Sequence, residues 1–397
     1  MDRELKKIAI VGPPTYPIPF IKGGAIERLM TILIDENERE HKLDITVYTI
    51  YDQDLKTVVE NYTHTQVVQA KASFFVKLLL LLYRILRRVL CNKIPVKSEY
   101  MCVINRHLKH NDYDVIYMAT SNQQVAELPN NLNAKILYAE YSDYLRKSSY
   151  GINKICKKVT AFVGNTYIVS RIIEELDVPK SQTRVLNAGY DLTIYPDSYR
   201  ESSRIKIRKR HNLKDNDIVV LYCGRLSPEK GALELIKAIK FVPDCFLIVV
   251  GGSNFSKNEN NEYVQQLKNE ADKCEGRVIF TGYIPDEQDV IPYRYGADIG
   301  VVPSICNEAA SGAMFEFRAA SLPTVISRMG GMPYFAGENV IMVNYDDNYV
   351  NNLAEAILSL VTNPKLREKL SKVARNGIEE HSYNSYYHSF VDLVSNL

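Results

Sequence analysis

This chain lacks the spacings that would announce a metal site, a disulfide framework or a redox cofactor. Its seven cysteines, at positions 91, 102, 156, 223, 245, 274 and 306, are odd in number, scattered and never arranged C-x-x-C. That argues against a zinc site or a stapled secreted fold and favours a reducing cytosol. No G-x-G-x-x-G occurs, so a dinucleotide redox cofactor is not expected. An excess of one charge is missing as well. A formal net charge of +2 leaves no global field for nucleic acid, and any basic feature must be local. The N-terminus, M-D-R-E-L-K-K, is followed by only five apolar or small residues, Ile8 to Gly12, too few for a signal peptide. The one long apolar run is interrupted by cations and does not read as a membrane span. There is no short repeat or low-complexity segment, and no Cys–His or Ser–His pairing placed for acyl chemistry.

What is present is ordinary soluble α/β composition, 46% hydrophobic and 24% charged over 397 residues, enough for two domains with full cores. Buried strands are expected at Lys6–Val11, Leu43–Ile50, Asp114–Met118, Lys135–Ala139 and Val159–Val163, with helices between them. Residues 196–217 are densely charged and read as a linker. Then βα alternation restarts, with strands at Ile218–Tyr222, Phe246–Val250, Arg277–Phe280, Asp298–Val302 and Thr324–Ser327. The fold class is therefore α/β: two Rossmann-like doubly wound domains, residues 1–190 and 191–382, which bind their ligand in the crevice between them. Asp112-Tyr113-Asp114 looks like a D-x-D metal motif, but it precedes its strand and reads as turn chemistry.

In the second half every polar cluster follows a strand: Gly224 to Lys230, Gly251-Gly252, Gly282-Tyr283, Cys306 to Ala313 and Gly330-Gly331. Parallel strands would put all five at one edge. Arg225 and Lys230 are two fixed cations on a Gly-flanked loop, suited to a diphosphate. Ala310, Ser311, Gly312 and Ala313 would start a helix whose free N–H groups add to that clamp. Glu316, about one turn into the helix, could accept two hydrogen bonds from a ribose diol, and Glu308 would face a transferred group. In the first half, the Pro-rich loop closing at Gly23-Gly24 could present amides to a phosphate. Tyr141 and Asp143 stand at a strand's carboxyl end, where open α/β sheets place ligands, and are the acceptor-side candidates.

Gly-Arg-Leu-Ser-Pro-Glu-Lys-Gly231, Glu308-x7-Glu316, Gly330-Gly331-Met-Pro333 and Lys-Gly-Gly-Ala-Ile-Glu27 together resemble glycosyltransferase family 4, retaining enzymes of the GT-B fold, over nearly the whole chain. The resemblance implies a nucleotide-sugar donor, probed first as a UDP-sugar, held by the C-terminal domain, with no cofactor and no metal. It assigns Arg225 and Lys230 to the diphosphate, Glu316 to the ribose, Glu308 to the sugar, and Gly224, Tyr283 and Ile284 to the donor, the last two near its base. Gly23 and Gly24 would close over the phosphates, and the final helix, about 383–397, would cross back onto the N-terminal domain. Three departures stand out. Ser311 holds the place of the family's Gly, with Gly312 following. Tyr334 follows Pro333 where the family has Glu. Glu140-Tyr141-Ser142 stands where the family has His.

A basic amphipathic helix is expected at Phe74–Leu90. At 100° per residue Lys77, Arg84 and Arg88 fall within about 40° of each other, opposite Phe75, Leu78, Leu82, Leu86 and Val89. From Asn61 to Ser98 there are seven Lys or Arg and no Asp or Glu. Either the helix lies on an anionic membrane, or it buries its leucines in the domain while its cations snorkel. The first reading places the protein at the inner face of the cytoplasmic membrane, with a lipid-linked or glycan acceptor of surface polysaccharide. Two other functions fit the same fold: a sugar-nucleotide epimerase or phosphorylase, and a non-catalytic partner subunit.

Overall fold

Short aliphatic runs alternate with helices along both halves of the computed structural model, which describes residues 4–90, 96–253 and 261–397. The first three residues, Cys91 and Lys93, all counted above, lie outside that range. The chain divides into two units, Met1–Gly189 with Tyr383–Leu397, and Tyr190–Ser382.

The first unit holds β1 (Lys7–Val11), β2 (Asp44–Ile50), β3 (Thr65–Ala70), β4 (Val115–Met118), β5 (Lys135–Ala139), β6 (Ala161–Gly164) and β7 (Thr183–Val185). They form one parallel sheet in the order β3-β2-β1-β4-β5-β6-β7. Its central strands are apolar on both faces because helices cover both, as parallel sheets require. The helix Tyr383–Ser395 is one of these covers. Phe390 meets Tyr117 edge-on at 5.1 Å, and the Tyr387 hydroxyl donates to Asn37 Oδ1 at 2.7 Å. Asp114 sits at the entry of β4 and accepts from the Lys7 backbone N–H at 2.8 Å, which ties it to the strand's start.

The second unit holds β8 (Ile218–Cys223), β9 (Cys245–Val250), β10 (Val278–Gly282), β11 (Ile299–Val302), β12 (Thr324–Ser327) and β13 (Val340–Val343). Their parallel order is β10-β9-β8-β11-β12-β13, so the connection reverses between β8 and β11. Ligands bind outside the strand ends at such a reversal. The edge strands β3 and β13 were not anticipated. Most of their residues are only half-buried; in β3 polar Thr65, Gln66 and Gln69 break the apolar pattern, whereas β13 is a short apolar run of four residues.

The linker expectation for residues 196–217 is corrected. Tyr199–Arg210 is a helix belonging to the second unit, with Ile207 buried. Its charge is internal. Arg208, 2% exposed, donates to Asp298 at 3.0 Å and to the Gly296 carbonyl at 2.6 Å, and Arg204 donates to the same Asp298 at 2.8 Å. Charge density alone misread this segment because buried cations, once paired, belong to a core.

Candidate functional site

The site grows from the two strands that flank the reversal. After β8 the chain turns through Gly224 and Arg225, held from below by the buried Tyr222 hydroxyl, which donates to the Arg225 carbonyl at 2.7 Å. A short turn, Pro228–Lys230, follows, then Gly231 at φ +71°. A Cβ at Gly231 would stand 1.9 Å from the Pro303 carbonyl oxygen at the end of β11, so only glycine lets these loops approach. The Ile305 N–H donates to the Glu229 carbonyl at 3.0 Å and closes the seam.

That approach brings Lys230 to Glu308. Lys230 Nζ lies 2.8 Å from Glu308 Oε1, which also accepts from the Ser304 hydroxyl. The glutamate side chain is only 9% exposed. Behind it, Gly331 N–H donates to the Glu308 carbonyl at 2.7 Å, so the Gly330-Gly331 turn after β12 supports the same loop. Arg225 reaches sideways to Glu229 at 2.7 Å, an exposed i,i+4 pair that a ligand anion can replace at little cost. Burial raises the carboxyl pKa of Glu229, while Ser227 and the nearby cations outweigh that and hold it below its ordinary range.

Ser311 caps the helix Gly312–Ala319 with no side-chain bond of its own, and the amides of this first turn face outward from the helix. Glu316 lies on this helix and lines a cavity of about 310 Å³ together with Cys223, Gly224, Arg225, Val250, Gly251, Gly252, Tyr283, Ile284, Glu287, Val290, Arg294 and Ala313. Four of the five expected clusters thus contribute to its wall: Gly224, Gly251-Gly252, Tyr283 and Ala313. Lys230 and Glu308 are not among the lining residues; they pair with each other. Tyr190 stacks on Phe315, ring centres 4.2 Å apart, behind the start of the helix. Burial pushes the Cys223 thiol up to about 12, so it is a neutral wall of the cavity and no nucleophile at neutral pH.

Sequence reasoning missed Arg294. It is 4% exposed, donates to the Tyr195 hydroxyl at 2.6 Å and to Glu287, and meets Glu316 Oε2 at 2.6 Å. Burial works against its charge, but Glu316, Tyr195 and Glu287 more than offset that, and its pKa is raised. A signal existed: Arg294 stands inside V-I-P-Y-R-Y-G-A, a run otherwise apolar or aromatic, where a cation must find carboxylates.

In the first unit, Gly23 and Gly24 have φ of +131° and +93°, and a Cβ at Gly24 would stand 1.9 Å from the Glu27 carboxylate. Glu27 is 3% exposed and burial raises its pKa. The acceptor-side pair looks different. The Tyr141 hydroxyl shares a hydrogen bond of 2.8 Å with Tyr117. Asp143 is buried, ion-paired to Arg146 at 3.1 Å and to Arg171 at 3.6 Å, and accepts from the Tyr167 hydroxyl at 3.0 Å. Both groups are engaged inside the unit, so their surroundings lend no support to an acceptor role. Glu140 accepts from the Tyr138 hydroxyl and the Ser142 N–H, each at 3.0 Å, and burial raises its pKa. No helix among the described residues is long and apolar enough to cross a membrane.

Two parallel sheets, each doubly wound, with a strand-end cavity lined by small residues and charge, define a doubly wound α/β architecture. Residues 203–377 match the sequence model of the family described as glycosyl transferases group 1. YtcC of Bacillus subtilis (strain 168), a glycosyltransferase by its provisional name, is 27% identical over 388 residues, 94% of this chain and 88% of that protein. The lipopolysaccharide 1,2-N-acetylglucosaminetransferase of Salmonella typhimurium is 26% identical over half of this chain and 54% of its own length. Among solved structures, Anabaena Alr3699/HepE in complex with UDP superposes with a TM-score of 0.75 at 17% identity, covering 99% of this chain and 100% of that one. The fold is GT-B, two Rossmann-like domains.

Proposed function

We propose that this chain is a retaining glycosyltransferase of family 4 that moves a hexose-type sugar from a UDP-sugar to a lipid-linked or glycan acceptor of surface polysaccharide. The observation that carries the reading is the strand-end cavity lined by Arg225 and Glu316, with the Lys230–Glu308 pair, 2.8 Å apart, on the loops that follow β8 and β11. Arg225 and Lys230 neutralise the diphosphate as its charge develops, and the amides at Gly312 and Ala313 add partial positive charge. The reaction so assigned puts no metal at the diphosphate. Glu316 holds the ribose and Glu308 the transferred sugar. The acceptor hydroxyl attacks from the face the diphosphate leaves, with a phosphate oxygen taking its proton. UDP bound to the Anabaena neighbour and the sugar-transfer name of the Salmonella relative both agree with this donor and reaction class. A panel of nucleotide sugars, read by nucleotide release with and without lipid-linked acceptor, tests it. Glu308→Ala is expected to lower turnover about 10²-fold or more; full turnover would remove Glu308 from the reaction. Turnover yielding an isomerised nucleotide sugar with no acceptor would favour the epimerase.

A second observation supports a membrane-borne acceptor. Phe74–Val89 is a helix, capped by the Ser73 hydroxyl, in which Leu80 is the one buried residue. Phe74 and Phe75 are each 75% exposed, and Leu79, Leu82 and Val89 lie above one half. This exposure favours membrane contact over burial of the leucines within the unit. Lys77 keeps only a loose contact, 3.8 Å from Glu99. Each Lys or Arg at an anionic surface contributes about 1 kcal/mol. Reversing Lys77, Arg84 and Arg88 to Glu is expected to weaken binding to phosphatidylglycerol vesicles at least 10²-fold in a flotation assay. Unchanged binding would refute membrane contact.

A further inference from the structure

Arg294 deserves its own role. A fully buried guanidinium shared among two carboxylates and a phenol costs desolvation that apolar packing would avoid, and such clusters contribute geometry more often than stability. Its place in the cavity wall says which geometry. The Nη1 atom is anchored by the Tyr195 hydroxyl and Glu287, which fixes the guanidinium plane. The Nη2 atom then holds Glu316 by Oε2 at 2.6 Å. With that oxygen held, the direction of Oε1 is set; it lies 3.9 Å from where a Cβ on Gly312 would stand, at the helix start. One planar guanidinium that spans Tyr195 and Glu287 through Nη1 and Glu316 through Nη2 is a bridge that the single nitrogen of a lysine cannot reproduce.

We propose that Arg294 is the positioning residue of a ribose-recognition site: it locks the Glu316 carboxylate so that it meets both hydroxyls of the nucleotide ribose. The proposal rests on the nucleotide-sugar reading of the cavity. It adds a residue of the helix Glu287–Gly296, outside all of the strand-end loops, to the groups that set donor selectivity.

Equilibrium binding of UDP and GDP, each against its 2′-deoxy form, tests it by calorimetry on the full chain, read on the base that binds tighter. Wild type is expected to prefer the ribose form tenfold or more, the worth of a hydrogen bond to a charged group. Glu316→Gln should cut that preference below threefold. Arg294→Gln should do the same although Glu316 is intact, and Arg294→Lys should cut it at least threefold. A guanidinium that merely braced the fold would weaken both nucleotides alike and leave the ratio where it was. If Glu316→Gln loses the preference while both Arg294 variants keep it, the positioning role is overturned and the ribose reading stands. If Glu316→Gln keeps it, the ribose reading itself falls and takes the proposal with it. Should Arg294→Gln fail to fold, Arg294→Lys decides: a reduced ratio supports the role and an unchanged one overturns it.

Discussion

Gly231→Ala separates the two loops on which the site depends. The residue sits at φ +71°, where a Cβ costs about 1–2 kcal/mol on any L-residue. The larger effect is contact. The new carbon would lie 1.9 Å from the Pro303 carbonyl oxygen, whereas carbon and oxygen tolerate about 3.3 Å. The loop after β8 and the end of β11 must part by about 1 Å or more, and overpacking of this kind adds about 1–3 kcal/mol. Together about 2–5 kcal/mol is lost, which lowers the melting temperature by roughly 5–15 °C for a unit of this size. The same displacement strains the Ile305–Glu229 bond at 3.0 Å and carries Lys230 away from Glu308, now at 2.8 Å. A misplacement of about 1 Å costs on the order of 10²-fold in turnover. Calorimetry and nucleotide release measure the two losses. Gly276→Ala is the control, because φ there is +76° but nothing lies within 4 Å; it should show the backbone cost alone and full turnover. A Gly231→Ala protein that melts within 2 °C of wild type and turns over within about threefold of it would refute the close approach.

Two further outcomes follow from buried charge. Asp298→Ala leaves Arg208, 2% exposed, without its carboxylate and removes the acceptor of the Val219 N–H at 2.9 Å, so unfolding by urea should come easier by about 3–5 kcal/mol. A loss below about 1 kcal/mol would mean that apolar contact and the Gly296 carbonyl hold the helix Tyr199–Arg210 without the Asp298 pair. Glu140 has a folded-state pKa raised by burial, so the native state binds its proton more firmly than the unfolded chain does. Its contribution is therefore most favourable at or below the ordinary carboxylate range and is lost as pH rises through the raised value. Glu140→Gln should flatten that limb of a melting-temperature profile; a limb unchanged in the variant would assign it to Glu27 or Asp35, which share its sign.

The polar clusters of the second unit were legible because parallel strands all point one way, so residues that follow each strand must gather at one edge. That logic reached Gly224, Arg225, Tyr283, Ile284, Ala313 and Glu316, all of which line the cavity. It could not reach Lys230 and Glu308 as a bonded pair, since 78 residues separate them and only the space beside Gly231 lets them touch. Residues 196–217 failed for the opposite reason. Polarity along a segment says that it meets water or partners, and the partner Asp298 lies about ninety positions on.

The alternation of apolar runs with helices was enough, by itself, to determine two doubly wound α/β domains, because local periodicity dictates each element and parallel strands admit few topologies. The amphipathic balance of Phe74–Val89 was equally a property of the sequence, but whether its leucines meet a core was not: burial depends on what packs nearby, and among the described residues little covers them. Tertiary structure alone decided that Arg294 grips Glu316, that Asp143 is held by two arginines, and that Glu308 is held by Lys230 and Ser304. Arg294–Glu316, Arg171–Asp143 and Lys230–Glu308 join different elements, set by the angles and separations of the strands that carry them, and these no pattern of neighbouring residues encodes; Arg146 and Ser304, three and four positions from their carboxylates, complete the same groups locally.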